Sequence, residues 1–584
     1  MVSKHPYQGL FSLLVAVCLL VNPVLGALDG HCPPLGPVLP APTNSSKSPE
    51  VQTAVSQFDT YFSALTSSFS GSAVSISVQS IHESAKLVDL HHTPLVHQAG
   101  ATNLVTGDTV YRAGSISKVF TTLATLRAGV RMDDPITSYL PELKSIQAAD
   151  GFSVAWDDIT VGSLASHMSG LGLDLMNDLG NIPNPWTSLG FPALNANDTP
   201  GCQGIYGLPP CPESEFYRDF SKHHPVYEPF TTPMYSNLGV DLLGLALERI
   251  FNRTYAEYIQ DSIISPLGLE NTNLTASPSL SQAFVPNQTL EQDMWSVDLG
   301  WDNPAGGFYT TPNDLITLGT AILNNSLLGS WATSKWLKPV SSTSTVGRNM
   351  GAPWEILQST NLTTDGRLVE LYTKGGDIGS YHSKFCLVPD YDLVIVIMTA
   401  GPEAQFQLSF TILSQLLTTL LPAIEQAGKD EITAAGMVGT FVGNDSTIEL
   451  SLDTGPGLNI SNWMIRGHDV GTLYASNHVA GVGSDTPVRP RLYPTNIQVA
   501  GADQVSWAWR AVFDTGTEED AAANDAGFAW PGQSCQTWAN MDRFPYGFRG
   551  IDDFVFTLEP ADDGSEMTVT KLANRGFQVQ MYKQ

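Results

Sequence analysis

The sequence predicts a two-part chain: an α/β region, with helices packed on a sheet beside an all-helical lobe, followed by a separate all-β domain. Three observations predict it. Up to residue 428, strand-like and helix-like apolar patterns mix, and helical ones dominate the middle. From residue 429 the helical patterns stop and short alternating runs take over, such as Ile448-Glu449-Leu450-Ser451-Leu452 and Phe554-Val555-Phe556-Thr557-Leu558. Gly, Asp and Pro turns separate those runs, as in Asp453-Thr454-Gly455-Pro456-Gly457. Residues 429–584 therefore read as a β-sandwich or barrel.

The elements follow in order. Residues 27–50 are rich in Pro and Ser and read as a linker. A domain is expected over residues 51–428. Val51, Val55, Phe58, Tyr61, Phe62 and Leu65 recur at helical spacing, and Val74 to Ser80 alternates as a strand does. Val110-Tyr111-Arg112 leads through Ala113-Gly114 into a helix expected to start at Ser115. Leu238 to Phe251 is a second strong helix. Glu370 to Thr373 reads as a strand ending in a glycine turn, and Leu393 to Thr399 as a central strand. Ser409 to Leu420 is helical again.

With 584 residues, 42% hydrophobic and 15% charged, the chain can bury large cores without staples. The 28 Lys and Arg against 57 Asp and Glu give a net charge of −29, which disfavours nucleic acid and anionic membranes as partners. Residues 1–26 read as a secretory signal: Lys4 and His5 precede the apolar run Leu10 to Val21, and small residues set cleavage near Gly26. That run is short for a membrane span, and no other stretch approaches one, so no stable membrane insertion is expected. N-x-[ST] sequons at Asn44, Asn197, Asn252, Asn273, Asn287, Asn324, Asn361, Asn444 and Asn459 agree with a glycosylated, secreted, extracellular protein. Cys202 and Cys211 bracket a Pro/Gly-rich loop and are expected to form a disulfide. Cys32, Cys386 and Cys535 cannot be paired by spacing.

Three motifs carry chemistry. In Ser115-Ile116-Ser117-Lys118 the Ser and Lys lie three apart and share one helix face. A Ser hydroxyl becomes a nucleophile when a neighbour takes its proton, and a Lys held in a dry pocket can do so. Tyr235-Ser236-Asn237 precedes the helix at Leu238: the Tyr is a candidate base, and the Asn amide a partner for a substrate carbonyl or a lysine. In Lys374-Gly375-Gly376-Asp377 the glycines let a substrate lie along the strand edge. The Asp377 N–H is a candidate partner for that of Ser115 in an oxyanion hole. No G-x-S-x-G, H-E-x-x-H, paired C-x-x-C or phosphate loop occurs, so no metal or cofactor is expected.

The order Ser115, Tyr235, Lys374 resembles that of the serine β-lactamase and penicillin-binding-protein superfamily, most closely the branch holding class C β-lactamases, D-aminopeptidases and related esterases. Val110 to Ser115, Asp133-Asp134-Pro135-Ile136, His167-Met168-Ser169-Gly170 and Ala305-Gly306-Gly307-Phe308 resemble flanking segments of that family. The all-β domain resembles one appended to fungal members. The resemblance implies a β-lactamase/transpeptidase-like fold with an antiparallel sheet. It also implies an acyl-enzyme on Ser115, proton movement by Tyr235 and Lys118, and support from Lys374.

Two departures stand out. Gly375 replaces the usual Thr or Ser, and Asp377 adds a negative charge. Both favour an ester, amide or lactone of a small molecule or peptide over a β-lactam. The alternatives are a transacylase or cyclase in natural-product assembly, and a non-catalytic binding protein. The presence of all three motifs argues against the last.

Overall fold

The computed structural model describes residues 31–175, 178–195, 197–202, 208–274, 279–530, 532–561 and 567–584. The expected signal segment, residues 1–26, lies outside them. The chain divides into two compact units. One comprises Ala41–Ser359 and Val369–Gly428; the other comprises residues 31–40, Thr360–Leu368 and Lys429–Gln584.

In the first unit the strands are β1 (Ala73–Ser80), β2 (Val88–His92), β3 (Tyr111–Arg112), β4 (Tyr309–Thr310), β5 (Ser341–Ser342), β6 (Arg348–Met350), β7 (Glu355–Ser359), β8 (Val369–Ile378), β9 (Tyr381–Val388) and β10 (Leu393–Ala400). Eight of them form one antiparallel sheet in the order β2-β1-β10-β9-β8-β7-β6-β5. β3 and β4 pair apart from it. β10 is buried at every residue, which explains its unbroken apolar run. β1 alternates Ser with Val and Ile because both its faces are covered: Ser75 bonds the Tyr111 hydroxyl (2.9 Å) and Ser77 bonds Asp89 (2.9 Å).

Helix ends are set by local chemistry. Ser48 caps Pro49–Thr66, its hydroxyl accepting from Val51 N, with Pro49 at the first turn. Ser236 caps Asn237–Phe251 by accepting from Gly239 N (3.0 Å), and Asn252 closes that helix in the left-handed conformation. The final helix is longer than its apolar core suggested, Phe406–Ala434. Among the described residues it is the one helix long and apolar enough to cross a membrane, at a mean hydropathy of 1.3, which corrects the expectation that no such stretch follows the N-terminus. Its Ile412, Leu416, Leu420, Leu421 and Ile424 are buried inside the protein.

The second unit is a barrel. Strands Gly439–Gly443, Ser446–Ser451, Leu458–Ile465, Val488–Ala500, Val505–Thr515, Asp553–Pro560, Met567–Asn574 and Val579–Lys583 are joined antiparallel. Pairing of Ser446–Ser451 with Leu458–Ile465, and of Gly439–Gly443 with Val579–Lys583, closes the ring. Closure removes sheet edges that would otherwise be free to pair with another chain. Phe441, Trp463, Tyr493, Trp509, Phe554 and Phe556 fill its interior.

Part of the segment read as a linker is built into this unit. Val38 and Leu39 are buried in the barrel core, and Cys32 is bonded to Cys535 across 503 residues. Cys202 and Cys211 form the second disulfide, as expected. Cys386 is a buried free thiol, and burial pushes its pKa up to about 12. The folded protein is therefore expected to shield Cys386 from a thiol reagent, and unfolding without reductant to expose it. Peptide mapping of the labelled thiol checks this; labelling of Cys32 or Cys535 instead would contradict the pairing.

Of the sequons, Asn197, Asn252, Asn287, Asn324, Asn361 and Asn444 are exposed, whereas Asn44, Asn273 and Asn459 are half-buried.

Candidate active site

The β7–β8 pairing stops at Glu355–Thr373, the first residue of β7, while β8 runs on to Ile378 paired only with β9. The expected turn after Thr373 is thus replaced by five more strand residues, Lys374 to Ile378, with one edge free of β7. That edge lies against the start of the Ser115 segment. A Cβ on Gly376 would meet Ala113 O at 1.9 Å, and one on Gly114 would meet Asp377 N at 2.7 Å. Gly114 has φ +53°, and Gly114–Ile116 is a single tight turn before the helix Ser117–Arg127. The helix therefore begins two residues later than its periodicity suggested.

Lys118 lies on the first turn of that helix, fully buried. Its Nζ donates to Ser115 Oγ (3.0 Å), Asn237 Oδ1 (2.7 Å) and Ala305 O (2.8 Å). All three of the ammonium's donors are thereby used. Asn237 is fixed in turn, its Nδ2 donating to Asp174 Oδ2 at 3.3 Å.

Tyr235 stands between two ammonium groups: Lys118 Nζ is 5.1 Å and Lys374 Nζ 5.0 Å from its ring centre. Burial pushes the phenol up. The charges of Lys118 and Lys374, with a hydrogen bond from Ser115, outweigh burial and hold it below its usual value. The site thus brings together Ser115, Lys118, Tyr235, Asn237 and Lys374.

Two further groups escaped sequence reasoning, and a third, His167, stood there only in a flanking segment with no role. Glu355 accepts from Lys374 Nζ (2.6 Å) and Gly375 N (3.1 Å). Burial pushes its carboxyl up, but the Lys374 and Lys384 charges hold it below the usual range. Lys374 is buried, which lowers its pKa; Glu355 and Tyr235 more than reverse this and hold it charged. Lys384 pairs in register with Gly375, nearly buried, its Nζ 3.5 Å from the centre of the Phe410 ring. A Cβ on Gly375 would stand 2.5 Å from that Nζ, so Lys384 occupies the space a Thr or Ser would need.

His167 is the third. It is fully buried at φ +62° and stacks on Tyr235, ring centres 4.4 Å apart. Its Nδ1 accepts from Ser236 N (3.1 Å), so Nε2 carries the proton of a neutral ring. Burial, then the Lys118 and Lys374 charges, depress its pKa from 6.5 to about 3. A depressed His pKa makes stability fall with acid, because only the unfolded chain binds the proton between the two values. The protein is expected to lose stability as pH drops from about 6.5 towards 3, by up to about 1.4 kcal/mol per unit from this group. His167→Phe should flatten that part of the curve in denaturant midpoints measured against pH; an unchanged slope would contradict the assignment.

Ser115 and Asp377 both line a cleft of about 230 Å³, with Gly114, Asn237, Ala305 and Asp302. Cys211, in the loop closed by the Cys202–Cys211 disulfide, lines it too. Asp377 is tied to His382 Nδ1 at 2.7 Å, which gives His382 a place at the rim. No group of three or more His, Cys, Asp or Glu able to hold a metal occurs among the described residues.

An antiparallel sheet flanked by helices, beside a helical lobe, with a serine bonded to a buried lysine at the cleft, defines a class: serine hydrolases of the β-lactamase type. The chain belongs to the β-lactamase family, whose profile, described as Beta-lactamase, matches residues 82–418. A second profile, "Beta-lactamase-like-like, C-terminal domain", matches residues 429–584. The chain is 30% identical over 569 residues to the "Beta-lactamase-like protein" of Arthroderma benhamiae, covering 92% of this chain and 93% of that one. It is 26% identical over 616 residues to "Probable hydrolase M10" of Phoma sp., covering 98% and 94%. The solved D-stereospecific amidohydrolase from Streptomyces sp. overlays with a TM-score of 0.45 at 19% identity, covering 62% of this chain and 96% of that one.

Proposed function

We propose that the protein is a secreted hydrolase that forms an acyl-enzyme on Ser115 and cleaves an ester, amide or lactone. The observation that carries this reading is the three-way anchoring of Lys118 on Ser115 Oγ, Asn237 and Ala305 O. Lys118 donates to Ser115 Oγ, which leaves the hydroxyl proton free to point at Tyr235. Tyr235, its pKa held down by two lysines, takes that proton as Ser115 Oγ bonds to the substrate carbonyl carbon. The N–H groups of Ser115 and Asp377 receive the developing oxyanion. Tyr235 then gives its proton to the leaving oxygen or nitrogen as that bond breaks. Water attacks the acyl carbon as Tyr235 takes its proton; the bond from that carbon to Ser115 Oγ then breaks, Tyr235 returns the proton to Oγ, and the acid leaves with Ser115 and the phenolate restored.

Lys374 keeps the phenolate company, and Glu355 keeps Lys374 charged and in place. Gly375 gives room to the Lys384 ammonium and Gly376 to the Ala113 carbonyl, and Asp377 then lines the cleft with Ser115. The missing hydroxyl at Gly375 and the carboxylate of Asp377 support esters and amides over β-lactams. Secretion is supported by the two disulfides, which persist in oxidising compartments, and by the N-terminal apolar run. A panel of p-nitrophenyl esters, amino-acid amides and a chromogenic cephalosporin tests the substrate class. Faster turnover of the cephalosporin than of any ester or amide would overturn it.

A further inference from the structure

We infer that Lys384 is a positioning residue for the proton transfer at Tyr235: its ammonium offsets the Glu355 carboxylate, so that Lys374 faces the phenolate with its positive charge uncancelled. The inference deepens the reading above and rests on Tyr235 as the base.

The first support is the balance of charge behind Tyr235. Lys374 Nζ lies 5.0 Å from the Tyr235 ring centre, but it also donates to Glu355 Oε1 at 2.6 Å. An ion pair is neutral as a whole, and it attracts a nearby anion far less than a free ammonium does. Glu355 therefore holds Lys374 in place and at the same time cancels its charge. A further cation beside Glu355 restores the net positive charge that favours a phenolate, and Lys384 is that cation.

The second support is the seat of Lys384, which is independent of that balance. Lys384 is 3% exposed, so water and salt screen its charge little. Its Nζ lies 3.5 Å from the centre of the Phe410 ring and 5.9 Å from that of Phe406, both on the helix Phe406–Ala434. An aromatic face attracts a cation. Among the described residues the Nζ has no hydrogen-bond or ion-pair partner, so its charge is not spent on one. It stands 2.5 Å, and Glu355 Oε2 3.4 Å, from the point a Gly375 Cβ would occupy. Glycine at 375 is thus what lets the ammonium come up beside the carboxylate, and any side chain there would displace it.

The other charged and titratable groups around these residues leave that balance standing. Asp377 also faces Lys384 from β8, but it is bonded to His382 Nδ1 at 2.7 Å. Cys386, two residues on along β9, is a buried thiol whose raised pKa keeps it neutral. On the far side of Tyr235 stand Lys118 and the neutral ring of His167. Burial pulls the Lys384 pKa down; Glu355 opposes this and Lys374 adds to it.

The test follows kcat/KM for p-nitrophenyl acetate against pH in the full-length protein, with folding checked by thermal unfolding. Methionine keeps an unbranched stem against Phe410 and removes the charge. Lys384→Met should move the acid limb to higher pH by about one pH unit, so that kcat/KM on the slope falls about tenfold. Glu355→Gln removes the opposing charge and should move the limb to lower pH. The double variant keeps the wild-type balance and should bring the limb back towards its wild-type place. A purely structural role for Lys384 predicts instead a loss of rate with the limb unmoved. A limb in Lys384→Met at or below the wild-type pH overturns the inference, as does a double variant whose limb stays where Lys384→Met put it. Loss of the limb in Tyr235→Phe with no shift in Lys384→Met sinks this inference alone; a limb that persists in Tyr235→Phe sinks the reading of Tyr235 as base, and this one with it.

Discussion

Ser115→Ala is expected to lower kcat by about four orders of magnitude or more on every substrate the wild-type protein cleaves. Without the hydroxyl no acyl-enzyme forms, and water in the cleft has only the oxyanion donors to help it. The fold should survive. Ser115 lies in a one-turn segment at the cleft, and Lys118 keeps two of its three acceptors, Asn237 Oδ1 and Ala305 O. Progress curves under excess enzyme, beside thermal unfolding of both proteins, check this. A variant that unfolds like wild type yet retains a tenth of its turnover would rule out Ser115 as nucleophile.

Tyr235→Phe is the second large effect, with an expected loss of about 10²- to 10⁴-fold in kcat, the range for a general base. The ring stays, so the stack on His167 and the contacts of both lysines with its face are kept. Only the oxygen that takes the serine proton is lost. The pH profile separates this role from packing. The active form is the phenolate, and Lys118 and Lys374 hold the Tyr235 pKa below its usual value. Wild-type kcat/KM should therefore fall as pH drops through that lowered pKa, and the same limb should vanish in Tyr235→Phe. A limb that persists in the variant would assign the base elsewhere.

How much of this was legible in the sequence follows from where each signal lies. Ser115 and Lys118 announce themselves because a spacing of three on a helix puts two side chains on one face. Tyr235 and Asn237 precede a helix whose apolar spacing is plain. Glu355 carries no such signal: it reaches the site only because β7 starts opposite Thr373 while β8 continues past it, which is a fact of register between strands. Lys384 is hidden for the same reason, since Gly375 faces it across β8 and β9. The glycines after Thr373 suggested a turn because glycine is common in turns; here they stay extended so that the backbone of Ala113 and Gly114 can approach. The Cys32–Cys535 bond spans 503 residues, and spacing alone cannot predict a pairing at that distance. The alternating runs after residue 429 identified a β domain, but barrel closure depends on which first and last strands meet.

The most direct measurement is mass spectrometry of protein quenched by acid during turnover of p-nitrophenyl acetate. One acetyl group is expected on the peptide containing Ser115, absent in Ser115→Ala and accumulating more slowly in Tyr235→Phe. Steady turnover with no acetylated peptide, or with the acetyl group on a residue other than Ser115, would contradict it.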